Sequence, residues 1–443
     1  MTPKKLIVIR SSTRGIAIHL HELVSPCTHI REAPGCYTQG DAISSFRTGA
    51  AVPDTDGDDV AQPRGFNADP LPAPALPDPA ILPIRAVHRA VADLRRGTPV
   101  LLTGTPDWVM LAADTASAAG LSELAALAAG PAVLLLSPVR AAALLRRPVE
   151  PGGSIALRTA GLFDPAVLRG MADPTMDQLL ADPPEQAVMQ AAAPGALALV
   201  KLARLLPAAL VAPVRPDAAL EAVRLGLLSV PAAHVLAHPD ASAAGLVAVA
   251  TAHVPLDVAA ETRVVAFRAP DAGIEHLAIL IGRPEHTAEG QPAPLARVHS
   301  ECFTGDLLGS LRCDCGPQLQ AALARMGEAG SGVLLYLAQE GRGIGLSGKL
   351  RAYALQDRGL DTLDANRALG WNADERNFAI AATMLDQLGI PRIRLLTNNP
   401  DKLAALAACG VAIEGREPLV IAPNGVNDHY LATKKRRFGH LLD

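Results

Sequence analysis

Apolar positions along this chain follow two rhythms, and the rhythm changes near residue 260. Ile84, Val87, Val91 and Leu94 recur at helical spacing, and Gly97 follows as a stop. Pro99 to Thr103 and Ala132 to Leu136 are short continuous apolar runs, the pattern of strands buried on both faces. Residues 84–250 alternate such runs with Ala/Leu-rich helical stretches, which predicts an α/β domain. From Arg263 the pattern alternates, predicting strands over Arg263–Phe267, His276–Ile281 and Ala296–His299. A helix over Gln318–Met326 and a strand over Val333–Leu337 follow. That strand runs into a glycine-rich loop, Gln339–Gly345, opening a helix that carries Tyr353. A helix is predicted from Glu375 to Leu388, started by Asp374-Glu-Arg376 and stopped at Gly389. A strand over Arg392–Leu396 then leads into Thr397-Asn-Asn-Pro400, with Asn399 as N-cap and Pro400 at the first helical position. Residues 1–83 read as an irregular, flexible segment, rich in proline between Pro53 and Pro79 and acidic from Asp54 to Asp59; Lys4–Arg10 is the one short strand expected there. The expected fold class is α/β with two domains, 84–250 and 255–443, the second a mixed sheet flanked by helices.

Composition narrows the class. A chain of 443 residues, 49% hydrophobic and 19% charged, is long enough for two or three domains with real cores. Aromatic residues are only 3% and alanine is abundant, and alanine suits helices everywhere, so composition marks out few core positions. A formal net charge of −4 argues against a general nucleic-acid binder. Lys434-Lys435-Arg436-Arg437 is locally basic and reads first as a solvated face, with a phosphate-facing tail as the second reading. No secretory signal is read at the N-terminus, and the most apolar stretch, about 195–214, carries Lys201 and Arg204 and does not suit a membrane span. Six cysteines in this length do not make a disulfide framework, which points to a reducing cytoplasm. Cys27 and Cys36 receive no role.

The chemistry concentrates in the C-terminal part. Cys302, Cys313 and Cys315 are close enough in sequence to share one soft metal ion. Three thiolates without a fourth nearby suit a catalytic zinc with a position left for water; a structural site closed by His299 or Cys409, or plain core cysteines, are the other readings. Glu340-Gly-Arg342-Gly-Ile-Gly345 after a strand can aim backbone N–H groups and a guanidinium at an anion, yet matches neither a P-loop nor a dinucleotide fingerprint. Thr397 to Pro400 with Lys402 offers a helix N-terminus and an ammonium, a second anion site. Asp374 and Arg376 are candidates for a proton acceptor and a charge-bearing partner beside a phosphoryl group.

Taken together, these motifs resemble GTP cyclohydrolase II from about residue 255 to the C-terminus. The resemblance rests on Arg297–Gly316, Gln339–Leu346, Arg351–Asp357, Ala373–Arg376 and Leu395–Lys402, all in order. It implies that Cys302, Cys313 and Cys315 hold one Zn²⁺ per subunit. It implies GTP contacts from Arg297, Val298, His299, Ser300, Glu301, Gln318, Glu340, Gly341, Arg342, Thr362, Thr397 and Lys402. Asp374 would accept a proton, Arg376 would act at the α-phosphorus as nucleophile or as electrostatic stabiliser, and Tyr353 would orient substrate and assist ring opening. The implied products are formate, pyrophosphate and 2,5-diamino-6-ribosylamino-4(3H)-pyrimidinone 5′-phosphate, in riboflavin synthesis. Mg²⁺ on the phosphates, a homodimer and a cytoplasmic location are also implied, with no nucleic-acid or membrane partner. Two other readings stand beside this one: a nucleotide-binding regulatory protein, and a bifunctional enzyme that also makes 3,4-dihydroxy-2-butanone 4-phosphate. Ala90 to Leu102 is faintly similar to the opening of the synthase for that compound. The acidic metal-binding run that should follow is replaced by Thr103-Gly-Thr-Pro-Asp107, so a degenerate, noncatalytic relative or an unrelated α/β domain is expected.

Overall fold

Ile84, Val87, Val91 and Leu94 form the buried face of α1 (Ile81–Arg95), as their spacing predicts. The structure, a computed structural model, describes residues 79–441 except 151, 160–163, 178–179, 271–272 and 289. The expectations for residues 1–78, including the Lys4–Arg10 strand, the flexible proline-rich stretch, Cys27 and Cys36, lie outside the described residues.

The first sheet contains β1 (Val100–Thr103), β2 (Trp108–Ala112), β3 (Val133–Leu136), β4 (Ile155–Arg158), β5 (Ala208–Pro213) and β6 (Ser229–Pro231). Its order is β4-β3-β5-β2-β1-β6, antiparallel throughout except for β1 beside β6. Helices α2 (Ala118–Leu127), α3 (Pro138–Leu145), α4 (Pro165–Ala172), α5 (Ala193–Leu202), α6 (Ala219–Arg224) and α7 (Ala232–Ala244) accompany it. Both faces are covered. Val109 and Leu111 of β2 enter one hydrophobic cluster, while Trp108, Met110 and Ala112 enter another. That is why these strands read as unbroken apolar runs. The Thr103–Asp107 stretch is the turn of the β1–β2 hairpin, where the Asp107 carboxylate accepts the Gly104 N–H at 2.9 Å.

The second sheet contains β7 (Val247–His253), β8 (Thr262–Arg268), β9 (Glu275–Ile281), β10 (Leu295–Ser300), β11 (Gly332–Leu337), β12 (Arg392–Leu396) and β13 (Ala412–Glu417). The order is β13-β12-β10-β11-β9-β8-β7; β13, β12, β10 and β11 run parallel and the rest antiparallel. Its helices are α8 (Cys315–Glu328), α9 (Gly345–Asp357), α10 (Thr362–Ala368), α11 (Ala379–Gln387), α12 (Pro400–Ala408) and α13 (Asp428–Phe438). Ala322, Leu323 and Met326 of α8 pack on one face with Leu295 and Leu334, and Met384 and Leu385 of α11 pack on the other with Val298 and Leu335. The connection after β10 moves to one side of that strand and the connection after β11 returns to the other. The chain thus reverses direction across the sheet at β10, and such a point leaves a crevice at the carboxyl ends of the strands.

Helices α9 and α10 do not stay with the second sheet. Ile344, Ala352, Leu355, Ala365, Leu369 and Trp371 join Val109, Leu111, Leu134 and Leu210 in one cluster. Both sheets lie in one compact unit, Ala73–Asp443.

One predicted element is corrected. The helix expected from Glu375 begins only at Ala379, so Asp374-Glu-Arg376 does not start it. Local side-chain bonds compete with helix here. Asp374 Oδ1 accepts the Arg376 N–H at 3.1 Å, and Asn377 Oδ1 accepts the Ala379 N–H at 2.9 Å.

Candidate functional site

Three strand ends build the site. After β10 come Glu301 and Cys302; after β11 comes the Gln339–Gly343 turn; after β12 come Thr397, Asn398 and Asn399. They open on a cavity whose wall includes all three cysteines.

Cys302 precedes a single π-helical turn, Phe303–Leu307, and its Sγ accepts the Gly305 N–H at 3.3 Å. Cys315 is the first residue of α8, which brings Cys313 and Cys315 back beside Cys302. The three Sγ atoms lie within 4.8 Å of one another. Cys302 Sγ and Cys313 Sγ are 3.7 Å apart. Two thiolates on one tetrahedral zinc, each at about 2.3 Å, would lie about 3.8 Å apart, so the donor set fits that ion. Gly305 is required at this point: a Cβ there would sit 2.8 Å from Cys313 Sγ and 2.9 Å from Cys302 Sγ. His299 and Cys409 do not join the cluster. His299 Nε2 lies 3.1 Å from each carboxylate oxygen of Asp306, and Cys409 is exposed. Asp306 also accepts the Tyr336 hydroxyl and the Cys302 N–H, both at 2.9 Å, which ties the thiolate turn to the sheet.

The rest of the cavity is cationic. Arg297, Arg342, Lys349, Arg376, Lys402 and Lys434 line it, against the carboxylates of Glu301 and Glu340. Arg297 is buried and donates to the Leu396 carbonyl at 2.9 Å and to Gln318, which in turn donates to Asp314. Burial pulls its guanidinium down to about 10, although Asp314 opposes the shift. Lys402 is buried and donates to the Val298 carbonyl at 2.8 Å. Burial, then Arg376 and Arg297, push its pKa well below the ordinary lysine value. Gly341 (φ 63°) and Arg342 (φ 64°) are left-handed, a conformation that costs a non-glycine residue energy and folds the turn against the cavity. Tyr353 stands on α9; burial is the largest cause raising its hydroxyl pKa, so it is protonated at neutral pH and able to donate.

Of the residues singled out in the sequence, Arg297, His299, Ser300, Glu301, Cys302, Cys313, Cys315, Gln318, Glu340, Gly341, Arg342, Tyr353, Thr362, Arg376, Thr397 and Lys402 meet at this cavity. Val298 does not: strand alternation turns it into the core beneath. Asp374 is absent from the wall and stands behind Arg376. It accepts Arg376 Nε at 2.8 Å and also Nη2, which leaves Nη1 as the guanidinium corner turned away from that carboxylate.

Several lining residues were missed in the sequence: Lys349, Gln356, Asn366, Asn398, Tyr430 and His440. Some had a usable signal. Lys349 lies four residues before Tyr353, on the same helix face. Its Nζ reaches Cys302 Sγ at 2.9 Å, Thr304 Oγ1 at 2.8 Å and Glu340 Oε1 at 2.9 Å. Lys434 departs from the solvated-face reading of the basic run and lines the cavity. It is on the inner face of α13, three residues after buried Leu431, and is paired with buried Asp314. Burial alone would raise the Asp314 carboxyl, but the Lys434 ammonium holds it below its usual range. Lys435 and Arg436 are exposed, as expected.

The fold and the site together define an α/β enzyme for an anionic substrate, with a cysteine cluster suited to one metal ion. Residues 247–418 match the family model for GTP cyclohydrolase II. The chain is 45% identical over 386 residues to GTP cyclohydrolase-2 of Azospirillum brasilense, covering 84% of this chain and 99% of that one. It is 53% identical over 178 residues to GTP cyclohydrolase-2 of Cronobacter sakazakii, covering 40% of this chain and 88% of the relative. Among solved structures, a two-domain 3,4-dihydroxy-2-butanone 4-phosphate synthase from A. baumannii matches with a TM-score of 0.29 and 17% identity, over 76% of this chain and 99% of that one. The last likeness is too slight to bear on the first sheet. The chain belongs to the GTP cyclohydrolase II family.

Proposed function

We propose that this protein hydrolyses GTP to 2,5-diamino-6-ribosylamino-4(3H)-pyrimidinone 5′-phosphate, formate and pyrophosphate, the entry reaction of riboflavin synthesis. The observation that carries the reading is the three-cysteine cluster in the wall of a cation-lined cavity, in a chain of this family. Cys302, Cys313 and Cys315 would hold one zinc ion, which when bound supplies a Lewis acid that lowers the pKa of water.

The chain's own residues divide the remaining work. Arg297, Arg342 and Lys402 neutralise the triphosphate, helped by Thr397 and the N-terminus of α12. His299, Ser300, Glu301, Gln318, Glu340, Gly341 and Thr362 complete the GTP contacts, with the Val298 carbonyl holding Lys402 in place. Mg²⁺ accompanies the phosphates as part of the substrate. Arg376 acts at the α-phosphorus through the corner that Asp374 leaves open. Asp374 accepts the proton if that arginine attacks covalently, and otherwise keeps it charged and aimed. Tyr353, protonated, donates a hydrogen bond beside the thiolate cluster and orients the purine. Residues 255–443 carry the catalytic machinery and 84–250 form a noncatalytic α/β domain; the protein works as a cytoplasmic homodimer. No described helix is long and apolar enough to cross a membrane.

The test is a GTP incubation with Mg²⁺ and zinc-loaded protein, following formate, pyrophosphate and the diaminopyrimidine together. All three should appear in equal amounts, and Cys313→Ser should lose both zinc and all three products. GTP binding without release of any product would overturn the reading and favour a regulatory nucleotide-binding role.

A further inference from the structure

Among the described residues, the first sheet and its helices contribute none to the cysteine cluster or to the wall of the GTP cavity. They nevertheless reach the machinery from behind. Lys201, near the end of α5, places Nζ 2.5 Å from Glu375 Oε1. Glu375 sits between Asp374 and Arg376 in the chain. Those two side chains fork onto each other, whereas Glu375 reaches to Lys201. The Lys201 and Glu375 side chains are only 24% and 17% exposed, so solvent screens the pair far less than a surface ion pair.

The pair also organises its surroundings. Glu375 Oε1 accepts the Asn372 N–H at 2.8 Å, closing the loop on itself. The Lys201 ammonium lies 5.8 Å from the ring centre of Trp371, at the loop's start. The Glu375 N–H donates to the Arg342 carbonyl at 3.0 Å, and a Cβ on Gly343 would come within 2.9 Å of the Glu375 carbonyl oxygen. Glu375 is therefore wedged against the turn that presents Arg342. Three residues after Lys201, Arg204 adopts the left-handed region (φ 55°) and donates Nη2 to the Ala338 carbonyl at 2.6 Å, just ahead of that same turn.

The loop from Asn372 to Phe378 has neither helix nor strand. Few contacts hold it: beyond the Glu375 N–H, Gln339 donates to the Asn377 carbonyl at 3.0 Å and Asn377 to the Pro239 carbonyl at 2.9 Å, both at the far end of the loop, so the Lys201 pair anchors its middle. We propose that Lys201 is a positioning residue for the reaction. Through Glu375 it fixes the loop that sets Asp374 and Arg376 against the substrate phosphate, and this is the contribution of the first α/β layer to catalysis. The inference rests on the proposed roles of Asp374 and Arg376.

The experiment uses full-length, zinc-loaded protein and measures formate and pyrophosphate release under steady-state conditions. It compares wild type with Lys201→Ala, Lys201→Arg, Glu375→Gln and the double variant Lys201→Ala/Glu375→Gln. Arg158→Ala serves as control, since Arg158 pairs with Glu185 on the surface of the same layer at 62% and 81% exposure. Misplacing a reacting group by about an ångström costs on the order of 100-fold in rate. Lys201→Ala should thus lower kcat by about 10- to 100-fold while KM for GTP and zinc content change by less than about threefold. Lys201→Arg should recover most of the loss. The double variant should be no slower than the slower single variant, because both remove one interaction. If Lys201→Ala does not fold, Glu375→Gln slowed in kcat alone, beside a near-normal Lys201→Arg, supports the same conclusion. Unchanged kcat in zinc-replete Lys201→Ala or Glu375→Gln, an equal loss in Arg158→Ala, or additive losses in the double variant would each overturn the inference alone. Wild-type protein that releases neither product would overturn the proposed reaction, and this inference with it.

Discussion

Lys402 shows how single residues here are held in states that water alone would not allow. Its ammonium is buried, with Arg376, Arg297 and Lys434 adding repulsion, and only Asp374 among the named neighbours opposing the shift. The free protein therefore holds a lysine whose pKa is depressed, and a bound triphosphate would restore it. The sign follows. Affinity is fully present below the depressed pKa and falls as pH rises between that value and the restored one, because binding must then take up a proton. Calorimetric titration with a non-hydrolysable GTP analogue, in buffers of different ionisation enthalpy, should show this uptake. Lys402→Met should abolish it and weaken binding. Wild-type binding that exchanges no proton at any pH would remove Lys402 from the phosphate site. Gly305 makes a complementary point. Three cysteines at suitable spacing are visible in any sequence, but the need for a missing side chain between two of them emerges only from the packed turn.

Among the elements, α12 was the most legible and the start of α11 the least. Asn399 caps α12 by accepting the Asp401 N–H at 3.0 Å, with Pro400 following, as the local pattern predicts. Such signals are readable because both partners lie within two residues. Asn399→Ala should cost about 1 kcal/mol of stability, measured by urea unfolding, and should raise KM for GTP, since α12 carries Lys402. An unaltered unfolding midpoint would show that the cap contributes nothing. The 372–378 loop misled the sequence reading because Asp374, Glu375 and Arg376 are good residues for a first helical turn. Glu375 is instead used by Lys201, 174 residues away in sequence, and local pattern contains no trace of that pair. Helix α9 stands between these cases. Its glycine-rich entry and Tyr353 were visible, but its helical residues divide between two tasks. Lys349 and Tyr353 face the cavity, while Leu355 enters the core of the first sheet.

At the scale of the molecule, that division makes the two sheets mechanically continuous. Leu355 is 4% exposed in a cluster that also holds Leu111, Leu134 and Leu210 of the first sheet. Arg351, also on α9, forks onto Asp114 and reaches Asp173, both from the first layer. Leu355→Ala should cost about 2–5 kcal/mol. The chain has 2 tryptophans, Trp108 inside the first layer and Trp371 where α10 meets it. Their fluorescence change and the loss of GTP turnover should coincide on heating, in wild type and variant alike. Two separated transitions would show that the layers unfold independently and would weaken the case for coupling between them.

By itself, the sequence determined the alternation of strands and helices, the cysteine spacing, the two turns that line the cavity, and the family. All of these are written in residues near one another in the chain, where hydrogen-bond geometry and side-chain periodicity act locally. Only the tertiary structure decided that Val298 faces the core and that Asp374 stands behind Arg376. It alone brought Lys349 and Lys434 to the cavity and Lys201 to Glu375. Each of those outcomes depends on which faces of distant elements are pressed together, and burial of apolar surface sets that arrangement with little regard for sequence distance.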